Sequence, residues 1–180
     1  MRLPALEKNI LIYRALQMVQ FLFYAESLRK QIIDSVGHEV CKIVGSQLKG
    51  TKLLKEVFKH LVKERLITKS ESTDLQDLLQ HRNKIAHDVQ SLIGDIEIPG
   101  RNYRFRNLLK LQYDYQALER IKRWENELEM RLSKNYWLSA SYNTLLFEAA
   151  DLAYGKELAT LKRRIDRQLL VRMKKKSGPK

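Results

Sequence analysis

Residues 74–93 read DLQDLLQHRNKIAHDVQSLI, and their apolar positions predict an α-helix. Apolar side chains recur at alternating spacings of four and three residues, which places them in one stripe along a helix. Position 82 completes this stripe, which consists of Leu75, Leu79, Arg82, Ala86, Val89 and Ile93. An unpaired guanidinium is costly to bury. Arg82 therefore either extends its methylene groups so that the guanidinium reaches solvent, or it faces a group that needs a fixed positive charge.

The composition of the whole chain predicts an all-α fold of about five helices. Only 7 Gly and 3 Pro occur in 180 residues, too few for the many tight turns of a sheet protein, and 44% of the residues are hydrophobic, enough for one core. The third predicted helix is preceded by a predicted loop at 68–73, with Thr73 as its cap and Gln76 completing a capping box. The predicted helical regions cover 4–36, 38–67, 74–93, 107–135 and 143–173. The second is punctuated by Gly45 and by Gly50 and Thr51, and the last has a weak point at Gly155.

Positive charge is concentrated at the C-terminal end. The chain carries 34 Lys and Arg against 21 Asp and Glu, a net charge of +13, and residues 156–180 hold ten of these cations against Glu157 and Asp166. An excess of this size favours a polyanionic partner, with a merely soluble basic protein as the alternative. We therefore divide the chain into a helical domain, 1–155, and a basic C-terminal helix with a disordered tail, 156–180.

Nothing in the sequence indicates export, membrane insertion or a metal centre. Cys41 is the single cysteine, so an intrachain disulfide and a thiolate cluster are excluded, and His38 beside it gives two ligands where zinc needs more. No apolar signal core follows Met1, and residues 10–25 are too polar and too short to span a bilayer. We expect a cytoplasmic protein without membrane contact, metal or cofactor.

His87 follows Arg82 by five residues, a spacing that separates the two side chains on a straight helix. At 3.6 residues per turn their directions differ by about 140°, whereas Asn83 and His87 share a face. A joint site for Arg82 and His87 therefore needs a local kink or a second copy of the helix. A two-fold dimer supplies that copy, because an isologous interface brings the same stripe from both subunits face to face.

The segment QHRNKIAHD, residues 80–88, resembles the signature of the HEPN superfamily, an Arg followed after four to six residues by a His. The commonly polar residue directly after the Arg is here Asn83, and the gap between Arg82 and His87 is four residues. The resemblance implies a HEPN-like helical bundle that forms a homodimer with both motifs in one cleft. It also implies a metal-independent endoribonuclease that leaves a 2′,3′-cyclic phosphate.

By the same resemblance, the three motif residues are the expected catalytic residues. His87 transfers a proton at the attacking 2′-hydroxyl or the leaving 5′-oxygen, Arg82 holds the scissile phosphate, and Asn83 orients the phosphate or the imidazole. Relatives often act as toxins or in abortive infection and other antiviral defence, which suggests a cognate antitoxin protein as a further partner. One branch carries a modified Tyr two residues after the His. Val89 stands at that position, so tyrosine modification is in doubt.

Further basic residues are candidates for binding RNA. Arg101, Arg104 and Arg106 alternate with aromatic residues, an arrangement suited to stacking on unpaired bases, although ordinary packing of the aromatic rings explains it equally. The complete set of candidates is His81, Lys84, Arg101, Arg104, Arg106, Arg163, Arg164 and Arg167. For the basic C-terminal helix, a solvated terminus or contact with an acidic antitoxin is the alternative.

Two other readings of the chain stay open. The first is a non-catalytic HEPN module that binds RNA or a protein and uses the stripe around Arg82 only to dimerise. The second is a basic DNA-binding helical protein, which is disfavoured because no clear helix-turn-helix pattern is present. Glu26 in the first helix is either a surface carboxylate or a group that orients a catalytic Arg or His from a neighbouring helix.

Overall fold

The computed structural model describes residues 4–87, 114–136 and 142–176, and all of its regular elements are α-helices. No strand occurs within these ranges, so the predicted all-α class is confirmed, with five helices. In chain order they are α1 (Ala5–Val44), α2 (Gly50–Lys63), α3 (Lys69–His87), α4 (Ala117–Leu132) and α5 (Tyr142–Lys176). The predicted dimer is a question of assembly and stays a prediction.

The 40-residue helix α1 is the central element, and each of the other four helices packs against it. Its buried positions follow helical periodicity from Phe21 through Leu28 and Ile32 to Val40. Each fully buried apolar side chain of this kind contributes about 1.5–3 kcal/mol. Among the residues whose burial is described, the largest fully buried apolar ones are Phe21, Leu28, Ile32, Phe58, Leu61, Leu75, Leu78, Ile121, Leu128, Leu132 and Leu161.

Two glycines explain why α1 is longer than the predicted 4–36. The helix passes through Gly37, where an added Cβ would meet Leu53 Cδ2 of α2 at 3.4 Å, an ordinary contact distance. The helix ends instead at Gly45, which has φ +70° and whose N–H is bonded to the carbonyls of Cys41 and Lys42. This left-handed conformation suits glycine, and it closes the helix.

The N-terminus of α3 lies five residues before the predicted cap, so the predicted loop at 68–73 and the cap at Thr73 are wrong. Thr68 Oγ1 accepts a hydrogen bond from Glu71 N (3.2 Å), and Glu71 Oε2 accepts one from Thr68 N (2.7 Å). This is a reciprocal capping box. Thr73 is already inside the helix, where its hydroxyl donates to the carbonyl of Lys69. The sequence contains two matching boxes, and the earlier one is used.

Helix α5 is continuous over 35 residues and passes Gly155 without interruption. It runs antiparallel to the N-terminal half of α1, with Phe147 stacked on Phe23 at one end and Gln168 bonded to Asn9 near the other. Lys174 to Lys176, expected to be disordered, belong to this helix, and residues 177–180 lie outside the described part of the chain. None of the helices described is long and apolar enough to cross a membrane.

Candidate active site

Arg82 lies at the rim of the core and not inside it. Leu75, Leu78 and Leu79, one to two turns earlier in α3, are buried, whereas the Arg82 side chain is 37% exposed. Its Nη2 donates to Glu26 Oε2 of α1 (2.9 Å), and its Nη1 donates to Asn83 Oδ1 (2.9 Å). Two hydrogen-bond partners therefore fix the guanidinium while part of it stays open to solvent.

Glu26 shares its carboxylate between two arginines. Oε2 accepts from Arg82, and Oε1 accepts from Arg29 Nη1 (3.0 Å), which lies one turn further along α1. One negative charge thus faces two positive charges, and the group keeps a net charge of +1. Such a group suits a phosphate, because guanidinium groups bind phosphate oxygens with directed hydrogen bonds.

From the sequence, Glu26 is predicted either as a surface carboxylate or as a group that orients a catalytic Arg or His, and Arg29 is not predicted as part of the site. The pairing of Glu26 with Arg29 follows from their i, i+3 spacing on one helix face, which is a readable local signal. The pairing of Glu26 with Arg82 joins positions 56 apart in the chain and has no local signal.

His81 packs towards the core, with its ring edge-on to Phe21 and the ring centroids 5.3 Å apart. Burial lowers the pKa of this imidazole below its usual value of 6.5; Asp114 opposes this effect, and the nearby Lys84 and Arg120 reinforce it. Burial therefore favours the neutral ring, which as a contact for RNA offers a hydrogen bond rather than a charge.

His87 is the last residue of α3, and its backbone is helical. Its side chain lies outside the described part of the structure, so the meeting of His87 with Arg82 stays a prediction. Asn83 and Lys84 are both exposed. The candidates Arg101, Arg104 and Arg106 lie outside the described residues as well.

The remaining candidates, Arg163, Arg164 and Arg167, are exposed on α5 and distant from Arg82 along the bundle. Next to them, Gln168 is bonded to Asn9, whereas Arg82 is bonded to Glu26. The 17 residues of α1 between Asn9 and Glu26 correspond to about 25 Å at 1.5 Å per residue. These arginines therefore form a separate surface.

Among the residues described, no three His, Cys, Asp or Glu side chains come together as metal ligands would. The candidate site is thus built from Arg82, Asn83, Glu26 and Arg29, together with the helical position of His87.

Comparison of the chain with protein-family models, with curated proteins and with solved structures gave no match.

Proposed function

We propose that the protein is a metal-independent endoribonuclease of the HEPN type, in which Arg82, Asn83 and His87 act together in a two-fold dimer. The observation that carries this proposal is the state of Arg82. Its guanidinium is held by Glu26 and Asn83 yet remains 37% exposed. A cation that is fixed in place and open to solvent is the arrangement that binding a phosphodiester requires.

The chemistry follows from the residue types. His87 takes the proton from the 2′-hydroxyl of RNA as its oxygen attacks the adjacent phosphorus, a role that suits an imidazole. Arg82 binds the non-bridging phosphate oxygens and stabilises the charge that grows on them. The bond from phosphorus to the 5′-oxygen breaks, and that oxygen receives a proton. The products are a 2′,3′-cyclic phosphate and a 5′-hydroxyl end.

The proposal includes a dimer because of the spacing of the two residues. The directions of residues 82 and 87 differ by about 140° on a straight helix, so a single copy of α3 does not aim both side chains at one phosphate. A two-fold axis beside the end of α3 brings His87 of one protomer towards Arg82 of its partner. In this proposal the protein is a cytoplasmic toxin or phage-defence effector, controlled by a cognate antitoxin.

The second candidate function is a non-catalytic HEPN module that binds RNA or a protein partner. One observation favours it, because the ion pair of Arg82 with Glu26 is also what a purely structural arginine would form. In that case Arg82 ties α3 to α1, and the exposed part of the guanidinium has no chemical role.

The deciding experiment measures RNA cleavage by purified protein in EDTA. Wild type is expected to cut, and Arg82→Ala and His87→Ala are expected to lose cutting while keeping their circular dichroism spectra and their oligomeric state. Matched controls are Arg123→Ala, which removes an exposed arginine of α4, and His38→Ala, which removes an exposed histidine of α1. Unchanged cutting by both site variants, or a wild type that does not cut, would contradict the proposal.

The proposed role in the cell is tested by expression. Induction of the wild-type protein is expected to arrest growth and to leave new RNA ends, whereas His87→Ala at the same expression level permits growth. Growth arrest by both proteins would show that the toxicity does not depend on cleavage.

A further inference from the structure

One side of α5 is committed to packing against α1. Leu158 and Leu161 are buried there, and two polar contacts follow further along the helix. Gln168 Oε1 accepts from Asn9 Nδ2 (3.0 Å), and Arg172 Nη1 donates to Glu7 Oε1 (3.0 Å). These four residues mark the face of α5 that is turned towards the bundle.

The opposite side of α5 carries a row of four cations. Lys156, Arg163, Arg167 and Lys174 are separated by seven, four and seven residues, and all four are exposed. At 3.6 residues per turn they fall within about 40° of one line along the helix. We call these four residues the α5 basic stripe.

The charge of the stripe is not balanced by acids on the same side. Glu157 and Asp166 are the only acidic residues between 156 and 174, and each projects about 80–100° away from the stripe. Among the residues described, Lys156, Arg163 and Arg167 form no ion pair, whereas Arg172 on the packed side is paired with Glu7. The positive charge of these first three residues of the stripe therefore remains on the outward side.

We infer that the α5 basic stripe is a second RNA-binding surface, which holds the phosphodiester backbone of a strand outside the cleavage site. The inference rests on the proposed function for the identity of its ligand. The 18 residues from Lys156 to Lys174 span about 27 Å. Because a stacked strand places a phosphate about every 3.4 Å, the stripe runs beside about eight phosphates.

An anionic membrane is a poorer match to this surface. A helix that lies on a bilayer needs one continuous apolar face. The exposed apolar residues near the end of α5 include Leu169, Leu170 and Val171, which are consecutive and therefore project in three directions about 100° apart. The side of α5 with the buried leucines is covered by α1.

The test uses a 20-nucleotide 2′-O-methyl RNA, which lacks the hydroxyl nucleophile and so reports binding without cleavage. Its affinity for the full chain is measured by fluorescence anisotropy over a series of salt concentrations. The variant Lys156→Gln/Arg163→Gln/Arg167→Gln/Lys174→Gln is expected to weaken binding at least about tenfold at 0.1 M salt. The slope of log K against log salt is expected to fall by about 3, or about 0.7 for each lost phosphate contact.

Helix α2 supplies a matched control. Lys52, Lys55, Lys59 and Lys63 are also exposed on one helix face, but there Glu56 lies among them and is bonded to Lys59 (2.7 Å). The fourfold Gln variant of these lysines removes the same charge and is expected to bind within about twofold of wild type.

Three results would overturn the inference: an equal loss in both fourfold variants, no loss in the stripe variant, or binding to vesicles with anionic lipid but not to the RNA. If the stripe variant does not fold, Arg163→Gln/Arg167→Gln is judged by the same comparison. The anisotropy experiment measures binding and not cleavage. Failure of the proposed nuclease activity would therefore be seen only in the cleavage experiment in EDTA.

Discussion

The two ends of α3 use charged side chains in different ways. Near its start, Asp74 accepts hydrogen bonds from the indole N–H of Trp124 (2.6 Å) and from Arg120, both on α4. Near its end, Arg82 is bonded to Glu26, and both side chains remain substantially exposed, at 37% and 46%. The two guanidinium groups are similarly exposed, Arg120 at 34% and Arg82 at 37%, but Asp74 also accepts from the buried indole of Trp124. The first arrangement therefore fastens a helix to its neighbour, whereas in the second both charged partners stay open to a ligand.

The pKa of Asp74 agrees with this difference. Burial by itself raises the pKa of the carboxyl, but the hydrogen bonds from Trp124 and Arg120 outweigh burial and hold it below its usual value. A carboxylate satisfied in this way serves packing. The comparison therefore predicts that changes at the start of α3 alter stability, and that changes at its end alter activity.

The largest expected effect is on cleavage by Arg82→Ala. Loss of the phosphate-binding cation should reduce the cleavage rate by about 10²–10³-fold, the range seen when a transition-state hydrogen-bond donor is removed. The free energy of unfolding, measured with urea, should change by less than about 1 kcal/mol, because exposed ion pairs contribute little. If the free energy of unfolding fell as much as in a core variant, Arg82 would serve packing as Asp74 does, and the two ends of α3 would not differ in function.

The next largest effect is expected for Leu75→Ala, in the packed half of α3. Leu75 is fully buried, so the cavity should lower the free energy of unfolding by about 3 kcal/mol. Urea denaturation measures this loss. The cleavage rate per folded molecule should match wild type, and a selective loss of activity would speak against the division of α3 into two functions.

For Asp74→Ala we expect a loss of about 2 kcal/mol, since the buried Trp124 N–H is left without its acceptor. The double variant Asp74→Ala/Trp124→Phe removes donor and acceptor together. Its loss should be smaller than the sum of the two single losses, as urea denaturation of all four proteins can show. Strict additivity would mean that the hydrogen bond contributes nothing.

A smaller effect is expected for Glu26→Gln, which tests whether Glu26 positions Arg82. Loss of the carboxylate makes the site more positive, but the guanidinium of Arg82 is held less firmly. We therefore expect kcat to fall by about tenfold and KM not to rise. Glu39→Gln, another exposed glutamate of α1, is the control and should leave both constants unchanged. If Glu26→Gln lowers stability alone, the ion pair with Arg82 is structural.

The smallest effect concerns pH and the cap of α3. The hydrogen bond from Arg131 and the backbone N–H of Thr68 lower the pKa of Glu71 from 4.5 to about 2. Its stabilising contribution is therefore complete above pH 4.5 and is lost as the pH falls towards 2. Urea unfolding at pH 7, 4.5 and 3 should show a shallower decline for Glu71→Gln than for wild type. If the free energy of unfolding declined equally in both proteins, Glu71 would not stabilise the fold in this pH-dependent way.

Local patterns predict the class of this fold and several of its elements. Helical periodicity, together with the scarcity of glycine and proline, is enough to predict five helices, because helix formation depends mainly on residues that are close in the chain. The choice between the box at Thr68 and the one at Thr73 depends on tertiary packing, as does the passage of α1 through Gly37. The partner of Arg82 lies 56 positions away, so it follows from how α1 and α3 pack and not from any local spacing.

The central place of α1 has a consequence for synthesis of the chain. This helix leaves the ribosome before the four described helices that cover it, and α5 is made after the other three. Its apolar side chains therefore stay uncovered until the helices that pack against them have been synthesised. Phe23 gains its stacking partner only when Phe147 has been made. A nascent chain that stalls before α5 leaves the N-terminal half of α1 without the helix that packs against it, and exposed apolar surface of this kind is what chaperones bind.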